Sequence, residues 1–139
     1  MADTPEWLFR QSAVIPYREK KHRIQVLLIT SRKSQRWVVP KGVVEPDLTP
    51  QDSAEKEAYE EAGIEGRVFV ESIGSYTYKK WGGVCDVEVF PMEVELVHDF
   101  WPEDSFRTRE WTDVSEAAER VREKLLKRML LELPALVAD

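Results

Sequence analysis

Apolar and polar positions alternate over several short stretches of the chain, and a repeat of two residues is typical of β-strands. Stretches rich in β-branched side chains occupy residues 12–18, 23–30 and 36–39, with polar or basic turns between them. The N-terminal third therefore predicts three short strands.

The clearest strand pattern lies further along, in GVCDVEVFPMEVELV at residues 83–97. Apolar and acidic side chains alternate in it from Cys85 to Glu88. We expect Pro91 to interrupt the strand at a bulge or a sheet edge, because proline has no backbone N–H to donate. Residues 67–80 predict a neighbouring strand.

Two helices are predicted between and after these strands. The first has Thr49 as its N-cap and Pro50 at its first position, and it ends at Gly63. The second begins near Asp113 and carries one apolar stripe. The stripe consists of Val114, Ala117, Ala118, Val121, Leu125, Met129 and Leu130. This order of elements predicts an α/β (α+β) fold, a mixed sheet with helices packed on its faces.

The composition adds limits to this fold. A chain of 139 residues with 42% hydrophobic residues can bury one core but not two comfortable ones. No stretch approaches the roughly 18 apolar residues of a membrane span, and the N-terminus lacks a basic region followed by an apolar run. We expect a single domain over residues 1–139, with its core at about 10–133, in a soluble cytoplasmic protein. The one cysteine, Cys85, is expected in the core and not in a metal cluster.

The net charge of −6 is distributed unevenly. Residues 1–44 contain nine Lys or Arg against three Asp or Glu, and residues 45–139 contain eleven against twenty-three. The acidic total disfavours nonspecific binding to nucleic acid. The basic third is compatible with a site for a small anionic ligand, or with a merely solvated surface.

Three glutamates, Glu57, Glu60 and Glu61, fall within about 100° of arc on the first predicted helix. Small residues on the adjacent arc would let this helix lie close to a sheet; they are Ala54, Ala58 and Ala62. Partial burial would raise the mutual repulsion of the carboxylates, which protonation, paired cations or a bound metal relieves. The alternative is a solvated acidic stripe in which Lys56 pairs with Glu60.

The loop before this helix favours the metal. Gly42 follows a predicted strand, and a glycine there lets backbone groups approach a cation or a phosphate. Carboxylate and carbonyl oxygens, with no His or Cys nearby, suit Mg²⁺ or Mn²⁺.

Residues 42–64 resemble the Nudix box, which is Gly, five residues, Glu, seven residues, Arg-Glu, an aliphatic residue, any residue, Glu-Glu, any residue, Gly and an aliphatic residue. The matching positions are Gly42, Glu57, Ala58, Glu60, Glu61, Gly63 and Ile64. The five Gly and Glu matches alone would arise by chance about once in a million starting positions, at roughly 7% abundance each. The resemblance implies the Nudix fold and metal-dependent hydrolysis of a diphosphate linkage.

Two positions depart from the box. Leu48 stands where the first Glu is expected, and Lys56 stands where the Arg is expected. In the family that arginine orients the neighbouring carboxylates through a planar fork that lysine cannot reproduce. Glu45, within the loop, is a candidate to supply the missing negative charge.

Outside the box, the resemblance extends over roughly residues 10–130. SRKSQRWVVPKGVVEP, EEAGIEG and a later REW are similar to the branch that includes diphosphoinositol polyphosphate and diadenosine polyphosphate hydrolases. That similarity implies substrate-phosphate binding by Arg32, Lys33 and Arg36, with Lys41 and Gly42 beside the box. The other basic candidates for this rim are Arg18, Lys20, Lys21, Arg23, Lys79, Lys80, Arg107 and Arg109.

The mechanism implied by the resemblance uses Glu57, Glu60 and Glu61 as metal ligands and catalytic groups. The backbone at Lys41, and Glu45, would complete the metal site, and Lys56 is a further catalytic candidate because it occupies the arginine position. The general base is expected to be Glu60 or Glu61, with Glu103 as a substitute. Trp37, Tyr76, Tyr78 and Trp81 are either core residues or platforms for stacking a base.

The preferred hypothesis is a pyrophosphohydrolase that requires Mg²⁺ or Mn²⁺ and acts on a small anionic polyphosphate, without nucleic-acid or membrane partners, as a monomer or homodimer. Diadenosine polyphosphates are slightly favoured over diphosphoinositol polyphosphates, because the protein is acidic overall. The alternatives are a non-catalytic module that binds such a ligand and a nucleotide clean-up triphosphate pyrophosphatase.

Overall fold

The computed structural model describes residues 8–138, which form a mixed sheet of eight strands with helices on both faces. In chain order the elements are β1 (Leu8–Lys20), β2 (Arg23–Thr30), β3 (Trp37–Val38), β4 (Lys41–Val43), α1 (Pro50–Glu57), a π-helical turn (Ala58–Ala62), β5 (Ile64–Val68), β6 (Gly74–Lys80), β7 (Gly83–Val97), β8 (Arg109–Asp113), α2 (Val114–Arg120) and α3 (Lys124–Val137). The predicted fold class is confirmed. The single domain over 1–139 stays a prediction, and its residues 1–7 and 139 lie outside the described part.

The two longest strands, β1 and β7, lie side by side and parallel at the centre of the sheet. Each changes its other neighbour along its length. β1 pairs with β4 near its start and with β2 near its end, while β7 pairs first with β6 and then with β5. The sheet thus combines one parallel pair with antiparallel pairs on both sides of it.

Strand β7 continues through Pro91, so the predicted interruption is wrong. Its antiparallel partner changes at this residue, because the first residue of β6 lies opposite Val89 and the last residue of β5 lies opposite Met92. The carbonyl of Pro91 accepts a hydrogen bond from the N–H of Phe69 on that side. In a strand, the N–H and the C=O of one residue point the same way. A backbone N–H at position 91 would therefore point into the gap between β5 and β6, so proline can occupy this position.

Two apolar cores cover the faces of the sheet. One lies under α2 and α3 and includes Ile15 and Val89, while the other lies under α1 and the π turn and includes Val14 and Phe90. Adjacent residues of β1 and β7 therefore point into different cores, as the two-residue repeat of a strand requires. Cys85 is fully buried, as predicted.

The second predicted helix is two helices, so the prediction of one continuous helix is wrong, although all stripe residues except Leu125 pack in or against the core. The chain leaves helical geometry at Val121, which has an extended backbone, and α3 starts three residues later. This break shifts the buried face of the following turn by one residue. Leu125 is 45% exposed, whereas Leu126 is 1% exposed.

The first predicted helix begins as expected, with the side chain of Thr49 accepting a hydrogen bond from the N–H of Asp52. Three alanines are fully buried against the sheet: Ala54, Ala58 and Ala62. The sequence did not indicate that the helix widens into a π turn over its last residues. The helix ends at Gly63, whose φ of +67° is left-handed.

Residues 98–109, here called the closing segment, satisfy the backbone carbonyls at this helix end. The N–H of Glu103 donates to the carbonyl of Glu60, and the indole N–H of Trp101 donates to the carbonyl of Glu61. Arg109 donates to the carbonyl of Ala62 and lies over the Trp101 ring, 3.8 Å from its centroid. Because these acceptors would otherwise be unpaired, the closing segment fixes where the helix stops.

We predict that Gly63→Ala destabilises the protein more than Gly82→Ala does. Both glycines have left-handed φ angles, so either alanine is strained by about 1–3 kcal/mol. At position 63 the new β-carbon would also lie 2.8 Å from Trp101 and Arg109, whereas at position 82 nothing lies within 4 Å. Urea unfolding of both variants measures the difference, and equal losses of unfolding free energy would contradict the account of the closing segment.

Candidate active site

A cleft of about 600 Å³ lies beside β4 and the C-terminal half of the first helix. Two carboxylates line it, those of Glu57 and Glu61. Eight cationic side chains line it as well: Arg32, Lys33, Arg36, Lys41, Lys79, Lys80, Arg107 and Arg122. The cleft therefore joins an acidic floor from one helix to basic walls from four other parts of the chain.

Glu57 lies directly against Gly42 of β4. A β-carbon at position 42 would be only 2.4 Å from Cδ and Oε2 of Glu57. From the sequence, we expected this glycine to let backbone groups approach a cation or a phosphate. The structure gives it an additional role, because only a residue without a side chain leaves room for the Glu57 carboxylate on the strand.

Glu61 is held through both of its carboxylate oxygens. The N–H of Lys41 donates to Oε1 at 3.1 Å, and a guanidinium nitrogen of Arg107 lies 3.4 Å from Oε2. The side chain is 12% exposed. Glu61 is thus fixed between β4 and the closing segment.

Glu60 is directed elsewhere. Nζ of Lys56 lies 3.7 Å from Glu60 and 2.8 Å from Glu45, so these two acids share a lysine outside the cleft. The pairing of Lys56 with Glu60, proposed as the alternative, is therefore present. A π turn contains more residues per turn than an α-helix, so Glu61 returns to the side of Glu57 and Glu60 does not.

Burial dominates the electrostatics of the two cleft carboxylates. Burial, and next the charge of Glu60, raise the pKa of Glu57 to about 6. Burial raises the pKa of Glu61 to about 8 against the opposing effect of Arg107, and Glu57 adds to the rise. Burial, reinforced by Lys80, lowers the pKa of Lys41. Burial thus disfavours the charged forms of all three side chains, and a ligand of complementary charge would offset that loss of hydration.

The donor chemistry of the acidic floor fits a hard divalent cation. Among residues 8–138 no three Asp, Glu, His or Cys side chains are grouped closely enough to hold an ion unaided. Mg²⁺ in proteins commonly takes one or two carboxylates and completes its shell with water and substrate phosphate. Glu57 and Glu61 fit that arrangement, whereas Glu45 faces Lys56.

The basic residues proposed from the sequence fall into two groups. Arg32, Lys33, Arg36, Lys41 and Gly42 line the cleft, and so do the additional candidates Lys79, Lys80 and Arg107. The remaining candidates do not line it: Arg18, Lys20, Lys21, Arg23 and Arg109. They serve the fold in part, since Arg18 binds Gln25, Arg23 pairs with Asp113 and Arg109 holds the helix end.

Arg36 has one guanidinium nitrogen ready for a ligand. Nη2 lies 3.5 Å from Glu123, whereas Nη1 is buried and has no hydrogen-bond partner within the described chain. Glu123 and its neighbour Arg122 reach this region because the chain breaks between α2 and α3. Sequence reasoning missed both residues, since it predicted an uninterrupted helix there.

The aromatic candidates also divide. Tyr76 is 4% exposed and belongs to the core, and Trp37 packs against that core. Tyr78 and Trp81 line the cleft, and Trp81 is 56% exposed at the hairpin between β6 and β7. Its ring contacts Phe9 edge to face, with 5.2 Å between centroids. Nζ of Lys80 lies over the same ring, 4.7 Å from its centroid, so Trp81 is a half-exposed aromatic group within the basic wall.

Comparison with known proteins shows the family of this chain. The family model described as NUDIX domain matches residues 8–133. Nudix hydrolase 21, chloroplastic, of Arabidopsis thaliana is 37% identical over 122 residues, covering 84% of this chain and 61% of that protein. Diphosphoinositol polyphosphate phosphohydrolase 3-alpha of Mus musculus is 31% identical over 116 residues, covering 81% of this chain and 69% of that protein. The chain belongs to the Nudix family.

Solved structures show the same fold. A C. elegans Ap4A hydrolase in a binary complex superposes with a TM-score of 0.76 at 21% identity, covering 94% of this chain and 98% of that chain. A MutT protein from Methanosarcina mazei has a TM-score of 0.70 at 17% identity, covering 99% and 100%. The chain spans 61% and 64% of the lengths of two of its Arabidopsis relatives, Nudix hydrolases 21 and 16.

We predict a pH dependence of stability that arises from the carboxylate pair. Folding raises the pKa of Glu57 and Glu61 above the ordinary 4.5, so their contribution is complete below about pH 4.5 and is lost as the pH rises through about 6 and 8. Urea unfolding with a chelator, from pH 5 to 8, should show a steeper loss for the wild type than for Glu61→Gln. Added Mg²⁺ should stabilise the wild type increasingly across the same range. If the unfolding free energies of both proteins changed in parallel with pH, Glu57 and Glu61 would be excluded as the source of the pH dependence.

Proposed function

We propose that this protein is a divalent-metal-dependent pyrophosphohydrolase that cleaves a diphosphate linkage in a small, highly anionic substrate. One observation carries the proposal, namely that two partly buried carboxylates face a wall of cationic side chains across a single cleft. Nudix hydrolases generally use divalent metal ions, and the named relatives are hydrolases. Mg²⁺ or Mn²⁺ is the ion that the oxygen donors favour.

The residues of the cleft address the two obstacles to hydrolysis of a diphosphate. The first obstacle is repulsion between the charged oxygens and the attacking water, which cations such as Arg32, Lys33 and Lys41 reduce. The second is alignment of that water with the leaving phosphate, which requires fixed groups on both sides of the linkage. A metal held by Glu57 and Glu61 would supply charge stabilisation and a more acidic bound water.

Glu61 is the general base that the geometry favours among the three candidates. It lines the cleft, whereas Glu60 is paired with Lys56 outside it. Glu103 does not line the cleft and is bound to Arg107.

The departures from the Nudix box do not favour the non-catalytic alternative. Leu48 lies with Tyr59 and His98 in a separate depression on the outer side of the helix. Lys56 borders the same depression and does not line the cleft, and its charge is the smallest of the effects on the pKa of Glu57. Both replacements therefore act away from the carboxylates that face the cleft.

The substrate we propose is a diadenosine polyphosphate or a diphosphoinositol polyphosphate. Related proteins carry the names Ap4A hydrolase and diphosphoinositol polyphosphate phosphohydrolase. The many cations suit either substrate, and the exposed ring of Trp81 favours a base-containing one because aromatic faces stack on bases. A nucleotide clean-up activity on triphosphates remains the second alternative, to be tested in the same assay.

The setting of the protein is also a proposal. No helix within residues 8–138 is long and apolar enough to cross a membrane. Two relatives are named as chloroplastic and mitochondrial, so the cytoplasmic location stays a prediction. The same holds for the monomer or homodimer and for the lack of a nucleic-acid partner.

We predict that Glu61→Gln lowers kcat by orders of magnitude while the fold is retained, because the change removes a charge without changing shape. Glu60→Gln is expected to lower kcat as well, through its charge beside Glu57. The measurement is phosphate or nucleotide release with and without Mg²⁺, over dinucleoside polyphosphates, diphosphoinositol phosphates, nucleotide sugars and deoxynucleotides. Glu119→Gln, on the exposed side of α2, is the control. Full activity of both Glu61→Gln and Glu60→Gln on every substrate would refute the catalytic assignment, and metal-independent binding without release would favour the non-catalytic module.

We further predict that Trp81→Ala distinguishes the two substrate classes. If a base stacks on this ring, the substitution should raise KM for a diadenosine polyphosphate by about tenfold, since stacking contributes about 1–3 kcal/mol per base. KM for a diphosphoinositol polyphosphate should change by less than about twofold. Equal changes for both substrates would show that Trp81 acts through cleft shape and not through stacking.

A further inference from the structure

We infer that Arg107 is a positioning residue that holds Glu61 and Glu103 in a fixed arrangement at the edge of the cleft. The inference rests on the proposed function, since it concerns the same site. It assigns to the closing segment a task that the Nudix box itself does not perform in this chain, namely to supply the cation that orients a cleft carboxylate.

The guanidinium of Arg107 contacts both acids at once. Its Nε donates to Oε1 of Glu103 at 2.9 Å, and its Nη2 lies 2.8 Å from the same oxygen. Nη2 also lies 3.4 Å from Oε2 of Glu61. One planar group therefore joins a carboxylate on the helix to a carboxylate on the closing segment.

The remaining nitrogen anchors Arg107 to the sheet. Nη1 donates to the carbonyl of Thr30, the last residue of β2, at 2.9 Å. The next residue, Thr108, donates its N–H to Oγ1 of Thr30, and its carbonyl accepts from the N–H of Thr30. With its side chain only 9% exposed, Arg107 has few alternative conformations. It therefore fixes the two acids relative to the strand.

The lysine of the box does not perform this task. Lys56 is occupied by Glu45 and Glu60 on the outer side of the helix. Without Arg107, Glu61 would lose its cationic partner and keep the N–H of Lys41 and its contact with Glu57. Glu61 and Glu103, both partly buried, would then repel each other close to Glu57. Arg107 thus both orients Glu61 and offsets this repulsion.

A lysine cannot replace this arrangement, although it keeps the charge. The planar guanidinium meets three partners, because it donates to Glu103 and to the Thr30 carbonyl and forms an ion pair with Glu61. An ammonium group is a point charge on a flexible stem and does not span the same partners. Arg107→Lys therefore removes the geometry while it preserves the electrostatic sign.

The test measures Mn²⁺ affinity of the substrate-free protein by calorimetry, together with kcat and KM. For Arg107→Lys we expect Mn²⁺ affinity and kcat to fall by about 10- to 100-fold, the usual effect of removing a residue that orients metal ligands. KM should change by less than about threefold. Arg120→Lys is the matched control, since Arg120 also joins two carboxylates, Glu110 and Glu116, outside the cleft. The control should match the wild type in all three quantities.

A double-mutant cycle separates orientation from direct phosphate binding. In a Glu103→Gln background, Arg107→Lys should cost less Mn²⁺ affinity than it does in the wild type, because part of the bridged pair is already lost. A rise in KM with unchanged Mn²⁺ affinity and kcat would identify Arg107 as a substrate-phosphate ligand and overturn the inference. Additive effects in the cycle would overturn it too.

Three further outcomes also decide between the inference and the proposed function. If Arg107→Lys does not fold, Thr30→Val replaces it, since loss of Oγ1 loosens the anchor, and an unchanged Mn²⁺ affinity in that variant overturns the inference. If the wild type binds Mn²⁺ but hydrolyses no substrate, the proposed function fails while the affinity measurement still decides the role of Arg107. If hydrolysis is normal and Arg107→Lys matches the wild type, only the inference fails.

Discussion

The carboxylates of Glu57 and Glu61 are partly buried against β4, and burial disfavours their charged forms. The neighbouring residues accommodate them and offset part of that free-energy cost. Gly42 leaves the space that Glu57 occupies, and the N–H of Lys41 stabilises Glu61. A pair of ionised acids in such a position is unfavourable until a cation joins them. The same burial that raises their pKa therefore makes the cleft receptive to a divalent ion.

The charge asymmetry of the sequence acquires a spatial meaning in this cleft. Basic residues from the N-terminal third form one wall, and residues of the β6–β7 hairpin extend it. The acidic excess of the later chain is placed mostly elsewhere, apart from the two carboxylates on the floor. A substrate with several phosphates can thus be attracted by one wall while its reacting linkage lies at the floor.

Sequence patterns predicted the sheet, the first helix and most of the basic wall, because two-residue alternation, capping residues and the box are local signals. They failed where distant contacts decide the outcome. Pro91 is tolerated because two partner strands meet beside it, and the helix breaks at Val121 to leave Arg122 and Glu123 near the cleft. The π turn that separates Glu60 from the cleft has no local signal either, since it depends on how the helix end is held.

The closing segment has a consequence for how this scaffold can diversify. It satisfies the carbonyls at the helix end and also carries Glu103 and Arg107, so a change there disturbs the stop of the helix and the acidic floor together. The opposite wall consists of the turn at 31–36 and the hairpin tip near Trp81. Neither of these holds the helix end as well as the acidic floor. New ligand preferences would therefore arise by remodelling those two tips, while the far side of the groove stays nearly invariant in shape.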